Sequence, residues 1–377
     1  MYVYYSNWAL ICLALNFEVL RLKFNFFTDK SVPVIGVDIS SSAVKMVELV
    51  EASPQNFRLE SYSTTAIPSD AVVDGNIIKL EQVVDAIAQG WKSLRTSEKH
   101  VALALPASAV ITKKVAMAHG LSEDEMELQV QLEANQFVPF SLDEVNVDFY
   151  ATDDAPNHHN EIEVLIAAAR KEKIEDRVAA AEGAGLKAVV VDIDYYAMEA
   201  ALTLAPGLLV NHGRNQTLMM VDIGANTLKI NVLHDHLSVY MREQAFGGAK
   251  LTQEIKQRFG LSSEDAEQAK KNGTLPDSYI TEVQQPFLHS LAMEIHRAIQ
   301  LFINATQYSR VDQIVLVGGC AAMPGIQRVV ADSTQISTVI YNPFSNMALA
   351  PRIKQTQLFQ DAPTLMVACG LAMRGFE

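Results

Sequence analysis

The chain has 377 residues, 49% of them hydrophobic and 20% charged, with a formal net charge of −14. That length holds two ordinary domains and that composition buries a large core. The acid excess excludes the basic face of a nucleic-acid binder and disfavours broad adhesion to anionic lipid. Cys12, Cys320 and Cys369 share no close spacing, so they offer neither a disulfide framework nor a zinc site and suit a reducing compartment.

Residues 1–31 read as a leader. Trp8 to Leu15 is apolar but shorter than the roughly 20 residues of a spanning helix. It lacks the basic start and cleavage site of a secretory signal. Two readings stay open: a membrane-surface segment, or an unstructured stretch following a start placed too far upstream, which is the simpler. Val34–Val50 reads as one apolar strand and Phe57–Ile67 as an alternating one. Apolar residues at helical spacing predict a helix over Ile77–Leu94, and Val101–Leu105 is a buried strand ending at Pro106.

A segment of different character follows. Val110–Met117 is strand-like, and Ser122 with Glu125 forms a capping box for a helix running to about Gln136. Val145–Tyr150 and Ile162–Ala169 read as strands around a polar turn, Asp153–Glu161. Lys171–Glu182 is a helix stopped by Gly183 and Gly185. Leu218–Val232 and His236–Arg242 read as a hairpin. Gly247-Gly248 leads into a helix ending at Phe259, and Ser262 opens another carrying Glu267 and Lys270. A long helix, about Gln284–Tyr308, precedes the strand Ile314–Val317, and Thr364–Met373 is a closing helix. His158-His159 lies in the polar turn without a second ligand pair at helical spacing and reads as exposed loop. Met117, Met126, Met198, Met219 and Met220 read as core fillers.

Two stretches say nearly the same thing: Val37-Asp38-Ile39-Ser40-Ser41-Ser42 with Lys45, and Val221-Asp222-Ile223-Gly224-Ala225-Asn226-Thr227 with Lys229. Each is an apolar strand delivering one Asp, then small residues, then a second apolar run. A carboxylate there suits Mg²⁺, which prefers one or two carboxylates plus water and phosphate oxygens. Small residues let backbone N–H groups close around phosphate. A third stretch, Ile314–Val317 into Gly318-Gly319 and on to Met323-Pro324-Gly325, removes the Cβ atoms that would hold the backbone off a flat ligand.

In this order the three stretches resemble the two phosphate motifs and the adenosine motif of the actin/Hsp70/sugar-kinase superfamily. The resemblance implies a duplicated α/β fold of two actin-like lobes with a nucleotide between them. Residues 32–107 and 188–217 would belong to the first lobe, 218–346 would form the second, and 347–377 would return to the first. The 108–187 segment resembles the inserted 1C (SHS2-like) subdomain of the FtsA/PilM branch. Ile35-Gly36-Val37-Asp38-Ile39-Ser40-Ser41, Val191-Asp192-Ile193-Asp194-Tyr195-Tyr196-Ala197-Met198-Glu199 and Glu294 through Gly325 are similar, more narrowly, to the PilM family of type IV pilus assembly proteins.

That resemblance implies ATP and Mg²⁺ as ligands. Asp38 and Asp222 would hold the metal or its waters. Ser40, Ser41, Ser42 and Lys45 would line the first phosphate turn, and Gly224, Ala225, Asn226, Thr227 and Gly248 the second. Gly318, Gly319 and Met323 would pack on adenine, and Glu267 and Lys270 would reach the ribose. Asp194 occupies the position where relatives orient the attacking water, and Asp192 stands equally near, so the assignment between them is open. Slow hydrolysis and simple ATP binding are both compatible.

The function implied is a scaffold of the inner-membrane assembly complex, serving twitching motility and natural competence. It would dock the cytoplasmic N-terminal peptide of a PilN-like membrane protein beside the insert, with Leu128, Leu132 and Phe137 as candidate anchors. Contacts with other pilus proteins and motor ATPases, and self-association, belong to the same expectation. The protein would be cytoplasmic and held at the membrane by partners. The alternative is an FtsA-like filament or division scaffold. A sugar or acetate kinase would need a substrate base and a substrate insertion, and neither is read here.

Overall fold

The computed structural model describes residues 33–53, 56–151 and 161–376. The leader, Cys12 and the turn holding His158-His159 lie outside them. Two compact units emerge. One is Glu199–Met366, and the other holds the described residues through Met198 together with those from Val367 onward.

The first unit begins with β1 (Ile35–Ile39), β2 (Ala43–Ser53), β3 (Asn56–Ala66), α1 (Leu80–Leu94) and β4 (His100–Leu105). The run expected as one strand from Val34 to Val50 is therefore a hairpin. Three consecutive serines interrupt the apolar pattern, and the Ser40 N–H donates to the Ala43 carbonyl at 3.1 Å to close the turn. The helix starts at Leu80 instead of Ile77, because Asn76–Ile77 pairs with Val72–Val73 in a short ladder. The chain continues through β5 (Val110–Ala118), α2 (Glu123–Phe137), β6 (Val145–Ala151), β7 (Glu161–Arg170), α3 (Lys171–Gly183), β8 (Lys187–Ile193) and α4 (Asp194–Leu202).

In the main sheet these strands lie in the order β8-β4-β1-β2-β3. Val37, Val44 and Met46 are buried in one cluster with Val83, Ile87 and Leu94 of α1 and Ala180 and Ala181 of α3. Each large apolar side chain so placed contributes about 1.5–3 kcal/mol over an exposed one. The inserted strands form a separate antiparallel sheet, β5-β7-β6. On it α2 lays Met126, Val130 and Ala134 against Met117, Val164 and Ile166.

The second unit contains β9 (Thr217–Ile223), β10 (Leu228–His234), β11 (Leu237–Gln244), α5 (Gly248–Phe259), α6 (Ser263–Asn272), α7 (Gln285–Ala305), β12 (Gln313–Val317), α8 (Ile326–Thr334), β13 (Ser337–Ile340) and α9 (Gln355–Asp361). The expected hairpin is thus three strands, since Gly224–Thr227 turns the chain where a single strand was read from Leu218 to Val232. The sheet order β13-β12-β9-β10-β11 matches β8-β4-β1-β2-β3 strand for strand, with the same parallel and antiparallel pairings. The core lies between this sheet and the helices, with Leu251, Phe287, Leu291 and Ile295 against Val221, Ile230 and Leu316. A final helix, α10 (Met366–Met373), returns to the first unit. A Cβ on Gly36 would collide with the Ala368 carbonyl, and one on Gly370 with that of Ala197, so α10 meets β1 and α4 backbone to backbone. All five methionines expected in the core are buried.

Candidate functional site

The duplication extends to individual side chains. Across the β1–β2 hairpin Asp38 stands opposite Lys45, and across β9–β10 Asp222 stands opposite Lys229. The two pairs share one offset, since 222 − 38 = 184 and 229 − 45 = 184. Both turns are closed by the equivalent hydrogen bond, Ser40 N–H to Ala43 O at 3.1 Å and Gly224 N–H to Thr227 O at 3.0 Å. Alternation in β-strands places Asp and Lys of each pair on one face.

In the first unit Lys45 Nζ donates to Asp38 Oδ2 at 2.8 Å, and Ser40 Oγ donates to the Ala43 carbonyl at 2.8 Å. Ser41 borders this turn half-buried, and Ser42 is exposed at its tip. Asp194 opens α4 and accepts the Ala107 N–H at 3.0 Å. Asp192 sits two residues earlier, fully inside. It accepts from Arg374 Nε at 2.8 Å and from the Ile193 N–H at 2.7 Å. Burial pushes its carboxyl above the ordinary aspartate range, and Arg374 works against that rise. Arg177 was not singled out from sequence. Its buried guanidinium donates to the carbonyls of Ala104 at 2.8 Å and Gly75 at 2.7 Å. Burial brings its pKa down to about 10, opposed by Asp194, Asp176 and Asp38, so it remains a cation near these acids.

In the second unit the turn after Asp222 receives α5. Gly248 N–H donates to the Gly224 carbonyl at 3.0 Å and Ala249 N–H to that of Ala225 at 2.8 Å. Gly247 allows this approach, since a Cβ there would strike the Ala225 carbonyl. Gly318 is required twice over: its φ is +91°, and a Cβ would collide with Asp222 Oδ1. Gly319 faces open space, with nothing within 4 Å of a Cβ placed on it. Met323 is half-buried against the unit's core. Ala225 and Thr227 are half-buried and Asn226 exposed along the turn.

Glu267 and Lys270 belong to this neighbourhood. Lys270 Nζ donates to Glu267 Oε2 at 2.6 Å. Burial pushes the Glu267 carboxyl up, but hydrogen bonds from Lys270 and Thr252 hold it below the ordinary glutamate value. Thr252 and Cys320 were missed as neighbours. Cys320 packs where Gly248 leaves room, 2.7 Å from a Cβ placed there. Burial raises its thiol to about 11, so it is protonated at neutral pH and is no nucleophile. The sequence signal for Thr252 was its place one helical turn after Gly248.

Each unit therefore offers one strand-end carboxylate, a small-residue turn and a cation. Among the described residues no three His, Cys, Asp or Glu side chains gather as a metal site. The donors available, Asp38 and Asp222, are hard oxygens. Each fits a cation that completes its shell with phosphate and water.

The family model described as "Type IV pilus assembly protein PilM" matches residues 36–376. The chain belongs to the PilM family. A solved structure described as a PilM-PilN type IV pilus biogenesis complex is 26% identical, with a TM-score of 0.77, over 92% of this chain and 100% of that one. The ethanolamine utilization protein EutJ from Carboxydothermus hydrogenoformans is 16% identical with a TM-score of 0.52, covering 91% of both chains, and shows likeness of fold alone. The fold is actin-like, and this PilM-family chain is an actin-like protein of type IV pilus assembly. No helix among its described residues is long and apolar enough to cross a membrane.

Proposed function

We propose that this PilM-family protein binds Mg-ATP and serves as a scaffold of the pilus assembly complex, docking the cytoplasmic tail of a PilN-like membrane protein. The observation that carries the nucleotide half is the repeated Asp–turn–Lys unit with its constant 184-residue offset and matched closing hydrogen bonds. Duplicated strand-end carboxylates with small-residue turns suit a ligand whose charge lies in phosphates and a divalent cation. Asp38 and Asp222 would hold the cation or its waters. Lys45, with the turns 40–42 and 224–227, would face the phosphates. Gly318, Gly319 and Met323 would supply a flat wall for the base. A bound Mg²⁺ would neutralise phosphate charge.

Asp192 has both oxygens engaged, by Arg374 and by the Ile193 N–H. A water-orienting role would therefore fall to Asp194. Asp194 is itself buried and tied to the Ala107 N–H. Turnover is accordingly expected to be slow, below the roughly 1 s⁻¹ floor of ordinary enzymes, and ATP serves chiefly as a bound ligand.

The partner half is supported by the likeness to a PilM-PilN complex. Leu128 and Leu132 lie 61% exposed on the outer side of α2, free to act as anchors, while Phe137 is half-buried with Lys113 Nζ 5.0 Å over its ring. Docking there would hold the protein at the membrane. Two measurements test the reading. Titration with a fluorescent ATP analogue is expected to show affinity falling at least tenfold in Asp38→Ala and Asp222→Ala. Unchanged affinity in both folded variants removes the nucleotide assignment. Capture of the PilN-like tail peptide is expected to fail in Leu128→Asp/Leu132→Asp with ATP affinity kept. Equal capture moves the docking surface off α2.

A further inference from the structure

The long helix α7 is entered through a wider turn. Ile280–Gln284 forms a single π turn, closed by the Gln285 N–H donating to the Ile280 carbonyl. Pro286 accounts for the width. It has no N–H to offer the Glu282 carbonyl, and its ring would crowd that oxygen in an ordinary α turn. Inserted turns of this kind recur at functional sites. Val283, Phe287, Leu288 and Leu291 enter the apolar core of the second unit. Gln284 goes in beside them, only 8% exposed, and its Nε2 donates to the Pro324 carbonyl at 3.0 Å.

Pro324 lies in the loop of residues 318–325 that follows β12. The front of that loop is tied to the sheet, where the Cys320 N–H donates to the Ile223 carbonyl at 3.1 Å and Gly318 sits against Asp222. Met323 comes next, its N–H donating to the Cys320 carbonyl at 3.1 Å and its side chain resting on the core. The rear of the loop is where Gln284 grips it. A buried polar side chain has its partner as its physical reason, and here the partner is a loop carbonyl 40 residues further on. Breaking that bond would leave a buried donor and acceptor unsatisfied, so it resists opening more than its own strength suggests.

We infer that Gln284 is a positioning residue for the base of the nucleotide: by holding the Pro324 carbonyl it keeps Gly318, Gly319 and Met323 in the flat wall on which adenine lies. The inference rests on the nucleotide reading above. Gln284 acts through the loop and makes no contact with the ligand itself. Without its amide the loop opens locally, and binding must first restore the wall, so affinity falls by the fraction of time the loop spends open.

Two readouts on the full chain test this: hydrogen exchange of the 318–325 amides without ligand, and calorimetric titration with Mg-ATP. Gln284→Met keeps the length of the side chain and removes the donor. Exchange of the loop amides is expected to quicken about tenfold, with those of β9 and β12 unchanged, and the dissociation constant for Mg-ATP to rise about tenfold. At saturating Mg-ATP the loop exchange returns to the wild-type value, because the bound base then holds the wall. Gln284→Leu carries the same expectation should the methionine pack poorly. Gln285→Met, exposed one residue further on, leaves both readouts as they are. Wild-type loop exchange or wild-type affinity in the methionine and leucine variants overturns the role of Gln284 while the nucleotide reading stands. So does faster exchange that spreads through β9 and β12. No binding of Mg-ATP to wild type overturns both.

Discussion

Asp148 on β6 shows how a single residue ties stability to pH. Burial raises its carboxyl from 3.8 to about 7, and the Phe149 N–H, which it accepts at 2.8 Å, only partly opposes this. A raised folded-state value means the native protein keeps a proton that the unfolded chain has released. The contribution of Asp148 to stability is therefore greatest below about pH 4, falls as pH rises toward 7, and levels off above it. The full loss across that window is up to about 4 kcal/mol. Asp148→Asn removes the titration. The variant is expected to be more stable than wild type at pH 8, with the difference vanishing near pH 4, in urea melts at both pH values. A difference independent of pH would show that the charge of Asp148 is not what burial penalises. Asp192 presents the other case, a buried acid with a buried cationic partner. Truncating either partner would take the ion-pair partner away from a buried charge, the costly half of any buried pair.

At the scale of elements, α2 combines a narrow packed face with a well-secured start. Only Met126, Val130 and Ala134 are buried along 15 residues. Its start is secured by the capping box: the Glu125 N–H donates to Ser122 Oγ, and the Ser122 N–H donates to Glu125 Oε2. Three acids in the first turn, Glu123, Asp124 and Glu125, also favour that end of the helix dipole. Ser122→Ala is expected to cost about 1 kcal/mol. That loss should appear as roughly fivefold faster hydrogen exchange of α2 amides, with the main-sheet amides unaffected, because the insert has its own core. Faster exchange throughout the first unit would instead show that the insert unfolds only with the rest.

For the whole molecule the governing fact is repetition. Two sheets of the same strand order each carry their own apolar core and their own Asp–turn–Lys hairpin. A ligand that binds only the native state stabilises it by mass action, about 2.7 kcal/mol at a hundredfold excess over its dissociation constant. Mg-ATP at that excess should raise the thermal midpoint by about 5 °C. The rise should disappear in Asp38→Ala and in Asp222→Ala alike, as the proposed role of each carboxylate in holding the cation requires. A shift that survives both substitutions would place nucleotide binding on other residues.

The amino-acid sequence by itself determined what depends on neighbours along the chain. The two Asp–turn–Lys stretches, the Ser122 cap, the insert's strands and helices and the glycine pair after β12 are local patterns, and each was legible as such. Strand limits were less so. The small residues 40–42 and 224–227 marked the turns, but hydrophobic content alone ran Val34–Val50 and Leu218–Val232 on as single strands, and where each strand ends is decided by its pairing. Only the tertiary structure decided which polar groups meet across long separations. Asp192 pairs with Arg374, 182 residues away, and this ion pair engages an acid that sequence alone left equal to Asp194. Thr252 closes on Glu267, and Gly318 yields its Cβ space to Asp222. The spacing of residues along one element follows from the geometry of that element, whereas these partnerships follow from how separate elements pack, and the order of residues along the chain does not encode that locally.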